Sequence, residues 1–170
     1  QAKQKGWSDV QLELKKRDYW TLSPDEFIRL NGKSGGKSVL ITFDDSYESV
    51  FTNAVPLLKS LDFTATLFII AGFIGRKSTW DVHFRPPAHM TGDQVRKACE
   101  LGFTLGSHTL THPDLTYLSA TRLREELSGS KKLLEDAFGQ EIRYLAYPFG
   151  RYNERVQDAV RECGYKAAFT

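Results

Sequence analysis

The stretch SVLITFDDSYESV, residues 38–50, joins a strand pattern to two adjacent carboxylates. Residues 39–43 are apolar or favour β-structure, which predicts a strand. Asp44 and Asp45 follow directly, and two neighbouring negative charges repel each other and lose hydration when they are buried. Such a pair needs solvent, a helix N-terminus or a cation beside it. The rest of the sequence decides among these three surroundings.

Further short apolar segments alternate with helical patterns along the rest of the chain. The helical patterns cover residues 46–61, 91–102, 119–139 and 153–164. Alternation of strands and helices predicts an α/β fold with a parallel sheet and right-handed crossovers. The predicted strands cover residues 39–43, 64–71, 103–107, 144–147 and 165–169.

Length and composition favour one domain with one hydrophobic core, because the chain has 170 residues, of which 41% are hydrophobic and 26% charged. The net charge of +2 comes from basic residues interspersed with acidic ones, a pattern that does not favour nucleic-acid binding. No apolar run approaches the roughly 18 residues of a membrane span, and no signal-peptide pattern is present. Cys99 and Cys163 lack metal-ligand spacing, so we expect core thiols rather than a disulfide.

Two segments fall outside the alternation. Residues 1–37 predict a helix around residues 9–17 and then a short helix capped at Ser23, with Pro24 at its first position. Residues 72–90 form a long loop with two prolines, two histidines and several aromatic residues. Long loops inside α/β domains usually have a function.

Polar residues cluster where the predicted strands end. Asp44 and Asp45 follow the first strand, and His108 and His112 follow the third; the segment YPFGRYN, residues 147–153, continues from the fourth. The carboxyl ends of parallel strands meet at one edge, which carries the site in such folds. Two histidines and one carboxylate hold a metal with open positions, and the second carboxylate would stay free as a base.

Structural roles are the alternatives to this metal site. Asp45 and Glu48 have the spacing of a capping pair, although capping does not account for Asp44. His108 could be a hydrogen-bonded core histidine, and His112 a polar residue at a helix start. Four aromatic residues could either pack in the core or line a sugar-binding groove: Trp80, Phe84, Tyr147 and Phe149.

Taken together, the motifs resemble those of the polysaccharide deacetylases, the NodB-like carbohydrate esterase family 4. TFDDSY, residues 42–47, resembles the TFDDG motif of that family, with Ser46 in place of glycine. SHTLTH, residues 107–112, matches its H-S/T-x-x-H motif, and YPFG, residues 147–150, is similar to its third motif. The resemblance covers residues 39–170. It implies a deformed (β/α) barrel, incomplete in this chain, that removes N-acetyl or O-acetyl groups from glycans with one divalent metal ion.

The resemblance also implies roles for individual residues. Asp45, His108 and His112 would hold the metal, zinc in the first place, with cobalt, nickel or iron as alternatives. Asp44 would be the general base that takes a proton from the attacking water. The residues implied for oxyanion and substrate binding are Tyr147, Pro148, Phe149, Gly150 and Arg151.

The sequence departs from the family pattern at the residue that steadies the general base and at the general acid. The third motif of the family usually begins with an arginine that steadies the base, and here that position is Ala146. Arg143 or Arg151 would have to take its place, or no residue does. The family's C-terminal motif with the general-acid histidine is absent, so the acid is unassigned. His83 and His89 in the long loop are the alternatives.

Three segments resemble the branch of the family that deacetylates poly-β-1,6-N-acetylglucosamine: residues 19–30, 54–69 and 145–153. In that branch the barrel is circularly permuted and the last histidine motif occurs at the N-terminus. On this resemblance the missing strand and histidine precede Gln1, and we expect the chain to be a fragment or a trimmed domain.

The predicted function is therefore metal-dependent N-deacetylation of a polysaccharide that contains N-acetylglucosamine. An O-acetyl esterase acting on a xylan-type glycan and a non-catalytic glycan-binding module are the alternatives. We expect a helical and loop segment, residues 1–37, packed on a deacetylase domain, residues 38–170. The expected partner is an acetylated polysaccharide, with no nucleic acid and no membrane span. Family resemblance places the protein outside the cell, in the periplasm or at the cell surface.

Overall fold

A computed structural model describes residues 7–31, 36–79 and 86–170. His83, Trp80 and Phe84 lie outside the described residues. The helices are α1 (Trp7–Lys16), α2 (Pro24–Leu30), α3 (Val55–Ser60), α4 (Gly92–Glu100), α5 (Ala120–Phe138) and α6 (Glu154–Glu162). The strands are β1 (Trp20–Thr21), β2 (Ser38–Val39), β3 (Thr42–Phe43), β4 (Thr66–Ile69), β5 (Thr104–Ser107), β6 (Tyr144–Ala146) and β7 (Ala167–Phe169).

Strands β3 to β7 form one sheet in sequence order, and every neighbouring pair is parallel. A helix lies between each successive pair of these strands, as parallel connections require. The curled sheet with its helices is an incomplete, deformed (β/α) barrel, which confirms the predicted fold class.

The first predicted strand, residues 39–43, is not continuous. Strand β2 pairs with β1 in a separate two-stranded sheet. The main sheet begins with β3, and two residues separate β2 from β3. Strand β1 was not predicted, because two residues carry no periodic signal. Ile41, between β2 and β3, still bonds to the main sheet, because its carbonyl oxygen accepts a hydrogen bond from the Thr66 N–H at 2.9 Å.

Side chains alternate between the two faces of the sheet. The helix-covered face carries the main core, with Leu67, Leu105 and Leu145 fully or almost fully buried. The opposite face carries a smaller cluster of Phe68, Tyr144 and Ala146. Position 106 must be glycine there, because a Cβ at that position would lie 2.4 Å from the Phe68 ring.

Local signals in the sequence mark the helix boundaries correctly. The hydroxyl of Ser23 accepts from the Glu26 N–H in a capping box at the start of α2, and Thr91 caps α4 in the same way with Gln94. Ser119 and Asn153 cap α5 and α6. The helix predicted over residues 46–61 contains a π turn, Val50–Ala54, which ends two residues before Pro56, a residue with no N–H to donate.

Helix α2 is tied to the end of the sheet by one carboxylate. Asp25 on α2 accepts from Lys166 at 2.5 Å and pairs with Arg143 at 2.8 Å. The hydrogen bond from Lys166, together with the Arg143 charge, holds the pKa of Asp25 below its ordinary value. Cys99 and Cys163 are free thiols, as predicted. Among the described helices, none has the length and apolar character to cross a membrane.

Candidate active site

Asp45, His108 and His112 converge at the carboxyl edge of the sheet, as the strand-end argument predicts. One potential ligand atom from each residue lies within 4.8 Å of the other two. Oδ1 of Asp45 is 3.6 Å from Nε2 of His108 and 3.5 Å from Nε2 of His112. The two imidazole rings meet edge to face, with centroids 4.7 Å apart.

His108 lies directly after β5 and is only 2% exposed. Its Nδ1 is 2.9 Å from the carbonyl oxygen of Ala146. A carbonyl oxygen can only accept, so Nδ1 is the protonated nitrogen of the neutral ring and Nε2 keeps its lone pair. That lone pair is on the nitrogen nearest Asp45, as a metal ligand requires.

His112 reaches the same point from a tight loop, residues 109–112, which we call the histidine loop. Thr109 and His112 have positive φ angles of 69° and 62°, which few residues other than glycine adopt. The His112 N–H donates to Oγ1 of Thr109 at 3.1 Å. The carboxylate of Glu126 on α5 accepts the Leu110 and Thr111 N–H groups. Sequence analysis missed Glu126, because its position 15 residues after Thr111 has no short-range pattern.

Asp45 lies in a turn after β3, with φ of 60°, and Ser46 follows with φ of 49°. This left-handed conformation explains why glycine is typical of the family at position 46. In this chain the Ser46 hydroxyl is buried and donates to the Phe68 carbonyl oxygen at 3.1 Å. The capping alternative for Asp45 is wrong, because the Glu48 N–H donates to the Ala88 carbonyl oxygen at 2.8 Å.

His89 supports the Asp45 turn from the long loop. It is 3% exposed, and its ring lies between those of Tyr47 and Phe73, with centroid distances of 4.8 and 5.6 Å. Its Nδ1 donates to the Asp45 carbonyl oxygen at 2.8 Å. Burial and this bond suit a structural histidine rather than a general acid, which must reach the substrate.

The chemistry of the three converging side chains fits a divalent metal. Oδ1 of Asp45 is buried and accepts no hydrogen bond from the residues that the structure describes. Its distances of 3.5 and 3.6 Å to the two imidazoles exceed those of a hydrogen bond. Donors at about 2.0–2.2 Å from a tetrahedral ion lie about 3.3–3.6 Å apart, which matches these distances.

Asp44 lies beside this group of ligands. Loss of hydration around its carboxyl group raises the pKa of Asp44, and the negative charge of Asp45 reinforces this. A positive charge on His108, present only when both ring nitrogens carry protons, would oppose it. The residue as a whole is still exposed to solvent. Arg143 and Arg151 were the two candidates to steady Asp44. Their ion pairs go elsewhere, because Arg143 pairs with Asp25 and Arg151 pairs with Asp114.

The YPFG segment is only partly directed at the site. Phe149 has a φ of 58°, is 62% exposed and lies edge-on to His112, with ring centroids 4.7 Å apart. Tyr147 is buried and stacks on Tyr152 at 5.0 Å. Both tyrosines line a cavity of about 270 Å³ beside α6 and β7.

The remainder of that segment is a short turn. Pro148 is buried, and the Gly150 and Arg151 N–H groups donate to the carbonyl oxygens of Tyr147 and Pro148. Nη1 of Arg151 lies 2.8 Å from Oδ2 of Asp114, which joins this turn to the segment after His112.

Comparison with known proteins identifies the family. The model of the polysaccharide deacetylase family matches residues 31–168. YxkH of Bacillus subtilis (strain 168), whose name assigns it to the polysaccharide deacetylases, is 35% identical over 155 residues, which are 89% of this chain and 52% of that protein. The poly-beta-1,6-N-acetyl-D-glucosamine N-deacetylase of Staphylococcus aureus (strain MRSA252) is 27% identical over 168 residues, covering 92% of this chain and 56% of that protein.

A solved structure shows the same fold. The Streptococcus pyogenes deacetylase PplD, determined in complex with acetate, aligns with a TM-score of 0.80 and 31% identity over 94% of this chain and 69% of that one. The chain spans about half the length of the curated relatives described above. The family model, which matches residues 31–168, shows that this chain belongs to the polysaccharide deacetylase family.

Proposed function

We propose that this protein is a metal-dependent deacetylase that hydrolyses N-acetyl groups of a polysaccharide containing N-acetylglucosamine. The observation that carries the proposal is the convergence of Asp45, His108 and His112, with Asp44 beside them, in a member of this family. The name of the S. aureus relative supports an amide bond as the target.

Asp45, His108 and His112 would hold one divalent ion. Two imidazoles and a carboxylate suit zinc, and they also suit cobalt, nickel or iron. Such an ion, when bound, lowers the pKa of water and polarises the acetyl carbonyl group. The hydrogen bond from Nδ1 of His108 to the Ala146 carbonyl oxygen keeps Nε2 of His108 available to bind the ion.

Asp44 is the proposed general base. It would take the proton of the attacking water, and its exposure to solvent leaves it accessible to that water. Incomplete hydration raises its pKa, which makes Asp44 a better proton acceptor than an ordinary aspartate. Asp45 could not do the same while its carboxylate holds the metal.

Phe149 is the residue of the YPFG turn best placed to contact a sugar. Its exposed ring borders His112, so a pyranose ring over the site could pack against it. The backbone N–H of Phe149 would support the developing oxyanion, since the Gly150 and Arg151 N–H groups already donate within the turn. The Arg151–Asp114 pair holds the turn beside the histidine loop, while Tyr147 supports it from the core through Tyr152.

The setting of the activity belongs to the same proposal. An acetylated polysaccharide would be the partner, and the protein would act on it outside the cell, in the periplasm or at the cell surface. Residues 1–37 would form a segment that packs on the deacetylase domain, residues 38–170.

The decisive measurement is acetate release from N-acetylglucosamine oligomers, with and without added divalent metal. We expect release that requires the metal and is lost in Asp44→Asn. Acetylated xylan is the comparison substrate, and faster release from it would favour an O-acetyl esterase. Glycan binding without any acetate release would overturn the enzymatic proposal in favour of a glycan-binding module.

A further inference from the structure

Glu126 is a buried carboxylate whose hydrogen bonds go to the histidine loop. It lies on α5 and is only 1% exposed. Its Oε2 accepts the N–H groups of Leu110 at 2.9 Å and Thr111 at 2.8 Å. Its Oε1 accepts the Thr111 hydroxyl at 2.6 Å. In the described part of the chain Glu126 forms no ion pair, so the hydrogen bonds from the loop stabilise its buried charge.

A buried charge is costly unless its partners replace the lost water. Glu126 meets this condition because two successive N–H groups point at one oxygen, an arrangement that suits anions. The same two N–H groups belong to the residues between His108 and His112. The carboxylate therefore binds the turn that connects the two histidines.

The loop is held from its other side as well. The Ala71 N–H donates to the Thr109 carbonyl oxygen at 3.0 Å, and the Gly72 N–H donates to the Leu110 carbonyl oxygen at 2.8 Å. A Cβ at position 72 would lie 2.6 Å from that carbonyl oxygen, so the approach is close. The loop is thus clamped between residues 71–72 and Glu126.

The clamp matters because the loop conformation is unfavourable by itself. Thr109 and His112 both have left-handed backbones, and such residues persist only where the surroundings hold them. Their dihedral angles set the direction in which the His112 side chain leaves the backbone. Loss of the clamp would let the loop relax and move Nε2 of His112 away from Asp45.

We propose that Glu126 is a positioning residue that sets His112 for metal binding before any metal arrives; this inference rests on the proposed function. Glu126 contacts neither metal nor substrate and acts through Leu110 and Thr111. Groups that orient metal ligands in this way typically contribute ten- to hundredfold to metal affinity.

The test uses the full 170-residue chain and measures Zn²⁺ affinity by competition with a chelator. Glu126→Ala should weaken affinity by about ten- to hundredfold. Glu126→Gln keeps one oxygen for the two N–H groups and should rescue most of the loss. Thr111→Val removes only the hydroxyl donor and should weaken affinity about two- to tenfold. Equal affinity in all four proteins would overturn the proposal.

Two controls separate positioning from general stability. Glu125→Ala alters the adjacent exposed residue, which pairs with Arg122, and should leave affinity unchanged. Leu134→Ala removes a fully buried side chain of the same helix further from the loop and should lower stability without lowering affinity. If Leu134→Ala weakens Zn²⁺ binding as much as Glu126→Ala, the positioning role is wrong.

A metal-free measurement keeps this proposal distinct from the proposed function. Hydrogen exchange at the Leu110 and Thr111 amides should be slow in the unaltered chain and faster in Glu126→Ala. If Glu126→Ala fails to fold, Thr111→Val decides by the same two readouts, and Glu126→Gln should stay close to the unaltered chain. If the unaltered chain binds no divalent metal, the proposed metal chemistry fails. Slow amide exchange that Glu126→Ala accelerates would then still support the clamp, and unchanged exchange would overturn it.

Discussion

Nδ1 of His108 donates a hydrogen bond to the carbonyl oxygen of Ala146, 2.9 Å away on the neighbouring strand. The bond settles which nitrogen carries the proton, and it leaves Nε2 facing Asp45 at 3.6 Å. Its acceptor is a main-chain atom, so it does not depend on the side chain at position 146. The alanine that departs from the family pattern therefore leaves this part of the site intact.

Asp45→Asn should abolish metal binding and stabilise the metal-free protein. Oδ1 of Asp45 is buried without a hydrogen bond from the described residues, and such an acceptor costs about 1–3 kcal/mol. Thermal unfolding with and without Zn²⁺ measures both effects. The unaltered chain should gain stability with Zn²⁺ and the variant should not. A stabilising effect of Zn²⁺ on the variant equal to that on the unaltered chain would contradict Asp45 as a ligand.

Asp44→Asn should reduce acetate release by about a hundredfold to ten-thousandfold, the usual contribution of a general base. Zn²⁺ affinity should change little, since Asp44 is not among the three converging ligand atoms. Parallel measurement of kcat and of chelator competition tests this separation. Glu48→Gln, an exposed carboxylate nearby in sequence, is the control and should retain full activity. Equal loss of metal binding and turnover in Asp44→Asn would make Asp44 a ligand instead.

Phe149→Ala should raise the KM for N-acetylglucosamine oligomers without lowering the free energy of unfolding by more than about 0.5 kcal/mol. The ring is 62% exposed, so it contributes little to the core, yet it borders His112 at 4.7 Å. Tyr117→Ala is a suitable control because Tyr117 is also exposed and has no assigned role. An unchanged KM together with a large loss of stability would show that Phe149 serves packing only.

Asp25 should make stability depend on pH in the acid range. Lys166 and Arg143 hold its folded-state pKa below the ordinary 3.8. A lowered folded-state pKa means that the unfolded chain takes up the proton first as the pH falls. The contribution is therefore complete well above pH 3.8 and is lost as the pH falls through the folded-state value. Urea unfolding of the unaltered chain and of Asp25→Asn between pH 6 and pH 3 should give curves that converge at low pH. Parallel curves would exclude this contribution.

Local structure was largely predictable, because the interactions that define it are close in sequence. The side chains of Ser23 and Ser119 accept hydrogen bonds from N–H groups three residues away. Each helix and each strand also has its own hydrophobic periodicity in the sequence. The exception is the break between β2 and β3. It depends on pairing with β1, 18 residues earlier, and no local pattern in residues 39–43 reports it.

The sequence by itself determined the α/β class, the order of the elements and the placement of Asp44, Asp45, His108 and His112 at strand ends. Hydrophobic periodicity and parallel connections are sufficient for these features. Tertiary structure decided how each side chain is used. It turned Tyr147 towards Tyr152, buried His89 beneath the Asp45 turn and placed Glu126 inside the histidine loop. These contacts join residues 5 to 44 positions apart, and they exist only because packing of the core fixes the distances between the elements that carry them.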